Sequence, residues 1–161
     1  MIVKSLGLIS LMMLLVMASC KKDDPAPVKT TKDYLTAHNW KMTAQVIDPG
    51  VNINGTIITD IFVFVPDCTK DDLTKFESNG SITDDEGATK CDPTDPQTTT
   101  DGKWVLSSDK KTMTITYPNE DPTSIEILTI NDTTFKGKFT TVEDFGSGLI
   151  TYVITVTFKK A

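Results

Sequence analysis

Trp40, Met42, Ala44 and Val46 alternate with Lys41, Thr43 and Gln45. Period-two alternation marks a strand with one buried face. Asp48-Pro49-Gly50 should break that strand, and Asn54-Gly55 marks a turn. From Ile57 to Val65 the chain is nearly continuously apolar, interrupted by Thr59 and Asp60, and reads as a strand buried on both faces that Pro66 ends. Phe76 and Ile82 flank Asn79-Gly80. That dipeptide predicts a hairpin, because a type I′ turn needs positive φ at both central residues. Trp104 and Leu106 face one way before a turn over 107–111. Met113, Ile115 and Tyr117 alternate with threonines up to Pro118-Asn119. Ile125 and Ile127 share a face, but Leu128 and Ile130 shift the phase, which predicts a bulge. Phe135, Gly137 and Phe139 alternate with Lys136 and Lys138, and the last strand carries Ile150, Tyr152, Ile154, Val156 and Phe158 on one stripe.

This gives eight or nine short strands joined by hairpin-length connections. Such spacing predicts an all-β fold, an antiparallel barrel or sandwich. One short helix precedes it. Thr30 or Thr31 caps it, Asp33 sits near its positive end, and it ends near His38.

The start of the chain has a different character. Lys4 precedes a 12-residue apolar stretch, Leu6 to Met17, which is too short to span a bilayer core of about 30 Å. It reads as an export signal over residues 1–19. Met17-Ala18-Ser19-Cys20 resembles a lipobox, with Cys20 as the lipidated residue; an ordinary signal peptide with a chance cysteine is the alternative. Residues 20–32 then read as a tether stiffened by Pro25 and Pro27, and residues 33–161 as the domain. Lys21 directly after Cys20 fits retention in the outer membrane. The run Lys21-Lys22-Asp23-Asp24 resembles the surface-export tag of some Gram-negative lipoproteins. It is equally a solvated run, and a domain facing the periplasm is the alternative location.

Composition narrows the partners. The 161 residues hold 16 lysines, no arginine and 22 acids, a net charge of −6. Nucleic-acid binding rests on neutralising phosphates with Lys and Arg, so this chain is a poor candidate for it. Three cysteines in an exported chain leave an odd one. If Cys20 is lipidated, Cys68 and Cys91 remain to pair in an oxidising compartment. Two unpaired thiols are the alternative. Zinc is disfavoured, because there is no C-x-x-C and His38 is the only histidine.

Trp40, Cys68, Asp71, Asp72, Phe76, Gly80, Cys91, Gly102, Trp104 and Leu106 together form a recognisable spacing over residues 35–130. It resembles the lipocalin-like domain of many small bacterial lipoproteins: an early Trp, then C-x-x-D-D-x-x-x-F-x-x-x-G, a second Cys, and G-x-W-x-L. His38-Asn39-Trp40 departs from the family's usual Gly-x-Trp. The resemblance implies an up-and-down barrel with the short helix at one end. It also implies a small apolar ligand, if any is bound.

No persuasive catalytic set is present. Any Ser-His-Asp or Cys-His arrangement would need His38, whose place beside Trp40 suits a structural role. Asp71/Asp72 and Asp84/Asp85/Glu86 lie in turns, where carboxylates are usually solvated rather than paired for hydrolysis. The 92–101 loop lacks EF-hand spacing, so no metal or cofactor is expected. The remaining candidates are aromatic. Trp40, Phe76, Trp104, Tyr117, Phe135, Phe139 and Tyr152 either line a ligand cavity or fill a solid core, since an eight-stranded barrel is wide enough for either. The expected function is therefore non-enzymatic. It is a lipid-anchored barrel with a small apolar ligand, or an interaction module with a solid core contacting a surface protein or glycan.

Overall fold

The computed structural model describes residues 27–161 apart from Ser147. Cys20, the signal segment and most of the tether lie outside the described residues. Helix α1 (Thr31–Thr36) opens the domain. Thr30 caps it: its hydroxyl oxygen accepts the Asp33 N–H at 3.2 Å, and the Asp33 carboxylate accepts the Thr30 N–H at 2.7 Å. This reciprocal box satisfies two otherwise orphan donors. The helix ends at Thr36, two residues short of the His38 expectation.

Nine strands follow: β1 (Trp40–Ile53), β2 (Thr56–Asp60), β3 (Leu73–Phe76), β4 (Ser81–Asp85), β5 (Thr98–Leu106), β6 (Thr112–Thr116), β7 (Thr123–Ile130), β8 (Thr134–Glu143) and β9 (Ile150–Lys160). From β3 onward each strand pairs antiparallel with the next, and β1 pairs with both β3 and β9. Eight strands thus close an up-and-down barrel, and β2 lies as a ninth strand beside the far half of β1. The predicted bulge falls between Ile127 and Thr129, where the β7–β8 register shifts.

The alternation expected over Trp40, Met42, Ala44 and Val46 fails past Met42, where a register shift against β9 turns Val46 outward and Ile47 inward. Three further local expectations are corrected. First, β1 runs straight through Asp48-Pro49-Gly50. Its pairing with β9 stops at Asp48↔Val153 and its pairing with β2 skips from Val46 to Val51, so Pro49 sits where no ladder N–H is needed. Second, the apolar run 57–65 is not a doubly buried strand. Strand β2 ends at Asp60, whose carboxylate accepts the Phe62 N–H at 3.0 Å, and a single 3₁₀ turn (Phe62–Phe64) replaces the strand. A local side-chain acceptor outcompetes the ladder there. Third, the β3–β4 hairpin forms as expected, with Phe76 opposite Ile82, but its turn is longer. Glu77 and Gly80 bracket it, and only Gly80 takes positive φ. The two-residue type I′ geometry belongs instead to Asn54-Gly55, with φ of 52° and 85° between paired Ile53 and Thr56.

Under α1 the barrel is filled, and a cavity of about 460 Å³ lies at that end between α1, the 78–80 turn and Trp104 to Leu106. Helix α1 lies against β3 and β7 and buries Leu35 among Trp40, Phe76, Met113 and Phe135. Trp40 and Phe135 are both 0% exposed. Phe135 meets Trp40 and Phe76 edge-on at 6.3 and 6.1 Å and stacks on Phe158 at 5.5 Å. Gly137 makes room for this packing, because a Cβ there would lie 2.4 Å from the Ile125 side chain. A second cluster (Ile47, Val51, Tyr152, Ile154, Val156) continues along β1 and β9 towards the other end.

Candidate functional site

The end of the barrel remote from α1 is open. A cavity of about 490 Å³ lies there, lined by Gln45 and Ile47 of β1, Phe139, Thr141 and Glu143 of β8, and Ile154 of β9. Ile61 and Phe64 from the 3₁₀ segment and Phe145 from the β8–β9 loop form its rim. The volume falls within the roughly 300–1,000 Å³ usual for small-molecule sites, which are mainly apolar with a few polar groups. The alternation along β8 and β9 aims these residues inward. Phe139 faces Ile154 in register, and Thr141 faces Tyr152. Phe64 and Phe145 are 61% and 52% exposed, so their rings face solvent across the mouth.

A separate, smaller recess of about 190 Å³ shares no lining residue with that cavity. Strands β1 and β3 pair only at Trp40↔Thr74 and Lys41↔Leu73. Beyond those pairs the wall is completed by the loop between Val65 and Asp72. Met42 and Phe158 form the apolar side of the recess, and Asp72, Asp84, Asp85 and Glu86 form its acidic side. Two of these carboxylates are already held. Asp84 accepts from Tyr117 Oη at 2.8 Å and Thr74 Oγ1 at 2.9 Å, and Asp85 accepts from Gln97 Nε2 at 2.9 Å. Burial of the ring, followed by the neighbouring Asp84 charge, holds the Tyr117 phenol well above its ordinary range. Gly102 permits that contact, since a Cβ there would sit 2.7 Å from the Tyr117 ring.

Asp72 differs. Its Oδ1 is shielded from solvent and has no hydrogen-bond partner among the described residues. Desolvation pushes its carboxyl up to about 6, and the charges of Glu86, Asp71, Asp84 and Asp85 push the same way.

The loop carrying Asp72 is stapled on its far side. Cys68 and Cys91 form a disulfide with Cα atoms 5.2 Å apart, as the cysteine count implied. Asp71 adds a second fastening. Its carboxylate accepts the Ala88 and Thr89 N–H groups at 2.7 and 3.0 Å and the Thr89 hydroxyl at 2.6 Å. These bonds draw the Asp71 carboxyl below the usual carboxylate range, led by the Thr89 hydroxyl. The adjacent acids of Asp71-Asp72 therefore have opposite environments: one is fastened, the other bare.

A match to the lipocalin-like domain family covers residues 36–137. The chain belongs to that family. The matched span begins in α1 and ends in β8, and it includes the disulfide, the four carboxylates of the recess and the Gly102-x-Trp104 segment. Among curated proteins none matches the chain. A lipocalin-like barrel suits the binding of a small ligand.

The seven aromatic candidates divide sharply within this lipocalin-like barrel. Phe139 alone lines the mouth. Trp40, Phe76 and Phe135 form the packed floor. Trp104 is also buried there, with its indole N–H donating to the Glu77 carbonyl at 3.0 Å across the β3–β4 turn. Tyr117 holds Asp84, and Tyr152 is buried with its ring 5.3 Å edge-on to Phe145. His38 packs edge-on to Trp40 at 6.0 Å, a structural contact. Sequence reasoning missed Ile61, Phe64, Phe145 and Glu143. The signal for the first two was present: an apolar run directly after an aspartate and before a proline marks a turn as readily as a strand. Among the described residues no group of three or more His, Cys, Asp or Glu is arranged to hold a metal ion.

Proposed function

We propose that this protein is a non-enzymatic, lipid-anchored lipoprotein of the outer membrane whose barrel mouth takes a small, largely apolar ligand. One observation carries the binding half of this reading: beyond the aromatic floor, the cavity lined by Ile47, Phe139 and Ile154 is open, apolar and rimmed by Phe64 and Phe145. Its mechanism is burial of the ligand against Ile47, Phe139 and Ile154 beneath Phe64 and Phe145, without bond making or breaking. Removing about 100 Å² of apolar surface from water favours binding by about 2.5 kcal/mol before ordering costs.

The anchor half rests on the sequence around Cys20. Lys29 forms an ion pair with Asp132 in the β7–β8 turn and lies 5.4 Å over the Tyr34 ring. The described end of the tether therefore meets the barrel at its α1 end. Two or three acyl chains on Cys20 suffice for stable attachment at about 0.8 kcal/mol per buried CH₂.

Native mass spectrometry of the protein purified from its own host tests the binding reading. A stoichiometric extra mass released by organic solvent supports it; a bare mass that no added apolar probe shifts refutes it. Membrane fractionation tests the anchor. Cys20→Ala should move the protein to the soluble fraction, and continued membrane association would refute lipidation. One observation favours a second reading, an interaction module: Val63, Phe64, Phe145 and Leu149 are all more than half exposed on loops at the mouth, where a partner would meet them.

A further inference from the structure

The cavity at the α1 end is part of a longer groove. Thr30, Lys32, Ser78, Leu106 and Lys110 line its first part, of about 460 Å³. A second part, of about 310 Å³, lies on the outer face of β5 and β6 against Lys103, Thr114 and Thr116. The two parts share Asn79, Gly80, Trp104 and Val105, so they are continuous, and neither shares a lining residue with the mouth. Both volumes suit a small molecule. The charge of the groove runs against that of the chain. The chain's net charge is −6, yet the groove is lined by three lysines and no acid. Among the described residues, Lys32, Lys103 and Lys110 form no ion pair. Three acids adjoin lining residues in sequence, and each is already engaged. Asp33 accepts the Thr30 N–H at 2.7 Å, Glu77 pairs with Lys75 at 3.4 Å, and Asp109 accepts the Ser107 hydroxyl at 2.6 Å and the Lys111 N–H at 3.0 Å. The wall between the lysines is apolar: Val105 is 62% exposed, while Trp104 beside it is buried. Lysine stems lie along such a surface and keep their ammonium groups at its edge. An acidic head gains charge-assisted hydrogen bonds there, and an apolar body covers Val105. A cation of the same shape meets only repulsion from the three ammonium groups.

We infer that this groove is a second binding site, for an amphipathic anion: Lys32 and Lys110 take its acidic head, and its apolar body lies over Val105. A lipid with an anionic headgroup and a free anionic amphiphile share this chemistry. The groove stands apart from the mouth, so what occupies one does not decide the other.

The test uses three probes with one alkyl chain and different heads: decyl phosphate, decanol and decyltrimethylammonium. Each is titrated below its micelle-forming concentration into nitrogen-15-labelled full-length Cys20→Ala protein, free of detergent and at low ionic strength. Amide shifts at 78–80 and 103–106 read the groove, and those at 139–143 read the mouth separately. Decyl phosphate should shift the groove amides and bind there about tenfold tighter than decanol, with the cation weakest. Lys32→Gln combined with Lys110→Gln should reduce the phosphate's advantage to about twofold or less, and unchanged amide dispersion elsewhere shows that this variant is folded. Co-sedimentation with phosphatidylglycerol vesicles but not phosphatidylcholine vesicles, lost in the double variant, supports the site and makes a lipid headgroup its source. A groove response to decyl phosphate without co-sedimentation supports it with a free amphiphile as the source. Equal groove affinity for the three probes, or tightest binding of the cation, would overturn the anion preference. A phosphate advantage that survives in the double variant would overturn the assigned lysines. Shifts confined to the mouth would remove the groove as a site and leave the mouth reading intact.

Discussion

The indole N–H of Trp40 donates to the main-chain carbonyl of Leu35 at 2.9 Å, tying the first strand of the barrel to the helix that closes it. The bond is buried and joins residues on either side of the His38-Asn39 junction. It satisfies one of the carbonyls that a helix C-terminus leaves without an internal partner. Trp40→Phe keeps an aromatic ring but orphans that carbonyl. The expected loss is about 2 kcal/mol, read as a lower urea midpoint with an unchanged slope. Leu35→Ala should cost more, about 3 kcal/mol, because it leaves a void under the same ring. Wild-type stability in both variants would show that α1 is not part of the cooperative core.

Gly137 and Gly102 are placed for close approach rather than for turns. Gly137→Ala forces its Cβ towards Ile125 in the packed floor and should cost about 1–3 kcal/mol. Gly102→Ala meets Tyr117 instead. It should displace the phenol from Asp84, so a Tyr117 titration followed by ultraviolet absorbance should fall back towards the ordinary phenol range. An unmoved Tyr117 titration would disprove this account of Gly102.

The Cys68–Cys91 bridge spans 23 positions in sequence, and its removal should cost roughly 3 kcal/mol by loop entropy. The barrel strands do not depend on it, since they pair independently of the loops it joins. Hydrogen exchange under reducing conditions should therefore quicken first at Ala88 and Thr89, whose amides bond to Asp71. Uniform quickening across β7, β8 and β9 would mean that the staple supports the whole fold.

Asp72 gives the fold a defined pH dependence. Its folded-state carboxyl is raised to about 6, above the usual value near 4, so the folded protein binds the proton more tightly than the unfolded chain does. This contribution to stability is present below pH about 4 and is lost as pH rises through about 6. Asp72→Asn should therefore stabilise the protein at pH 7, by on the order of 1 kcal/mol after solvent screening, and have little effect at pH 4. Thermal melts of both proteins at the two pH values check it. Destabilisation at pH 7 would show that Asp72 has a partner that compensates its burial.

The rim aromatics should separate binding from stability. Phe64 is largely exposed, so Phe64→Ala should change stability by no more than about 0.5 kcal/mol. The same change should weaken binding of an apolar probe by about tenfold, since it removes part of the mouth's cover. Phe139→Ala should lower both. Probe affinity unaffected by Phe64→Ala would place the ligand elsewhere.

The strand order was legible because one buried face imposes a period of two. Met113 to Tyr117 and Ile150 to Phe158 show it without ambiguity, and short polar connections then leave few topologies open; in β1 the register shift after Met42 defeats the alternation, so that Ile47 and not Val46 is buried. The phase change at Leu128 was readable for the same reason, since one extra residue moves every later side chain to the other face. Reading Cys20 as the lipidated residue left Cys68 and Cys91 to pair, and those two bond.

What the sequence left open was how far the barrel is filled. Trp40, Phe135 and Phe139 look alike on inward-facing strand positions, yet two are floor and one is wall. That difference depends on Leu35 entering from α1 and on Gly137 letting the floor close. The apolar run at 57–65 misled because hydrophobicity reports a preference for burial, not that burial is available. A side-chain hydrogen bond at Asp60 ends the strand and leaves Phe64 on the rim. The contrast between Asp71 and Asp72 was likewise invisible, because adjacent residues point opposite ways. Only the folded loop brings the amides of Ala88 and Thr89 to one and leaves the other bare.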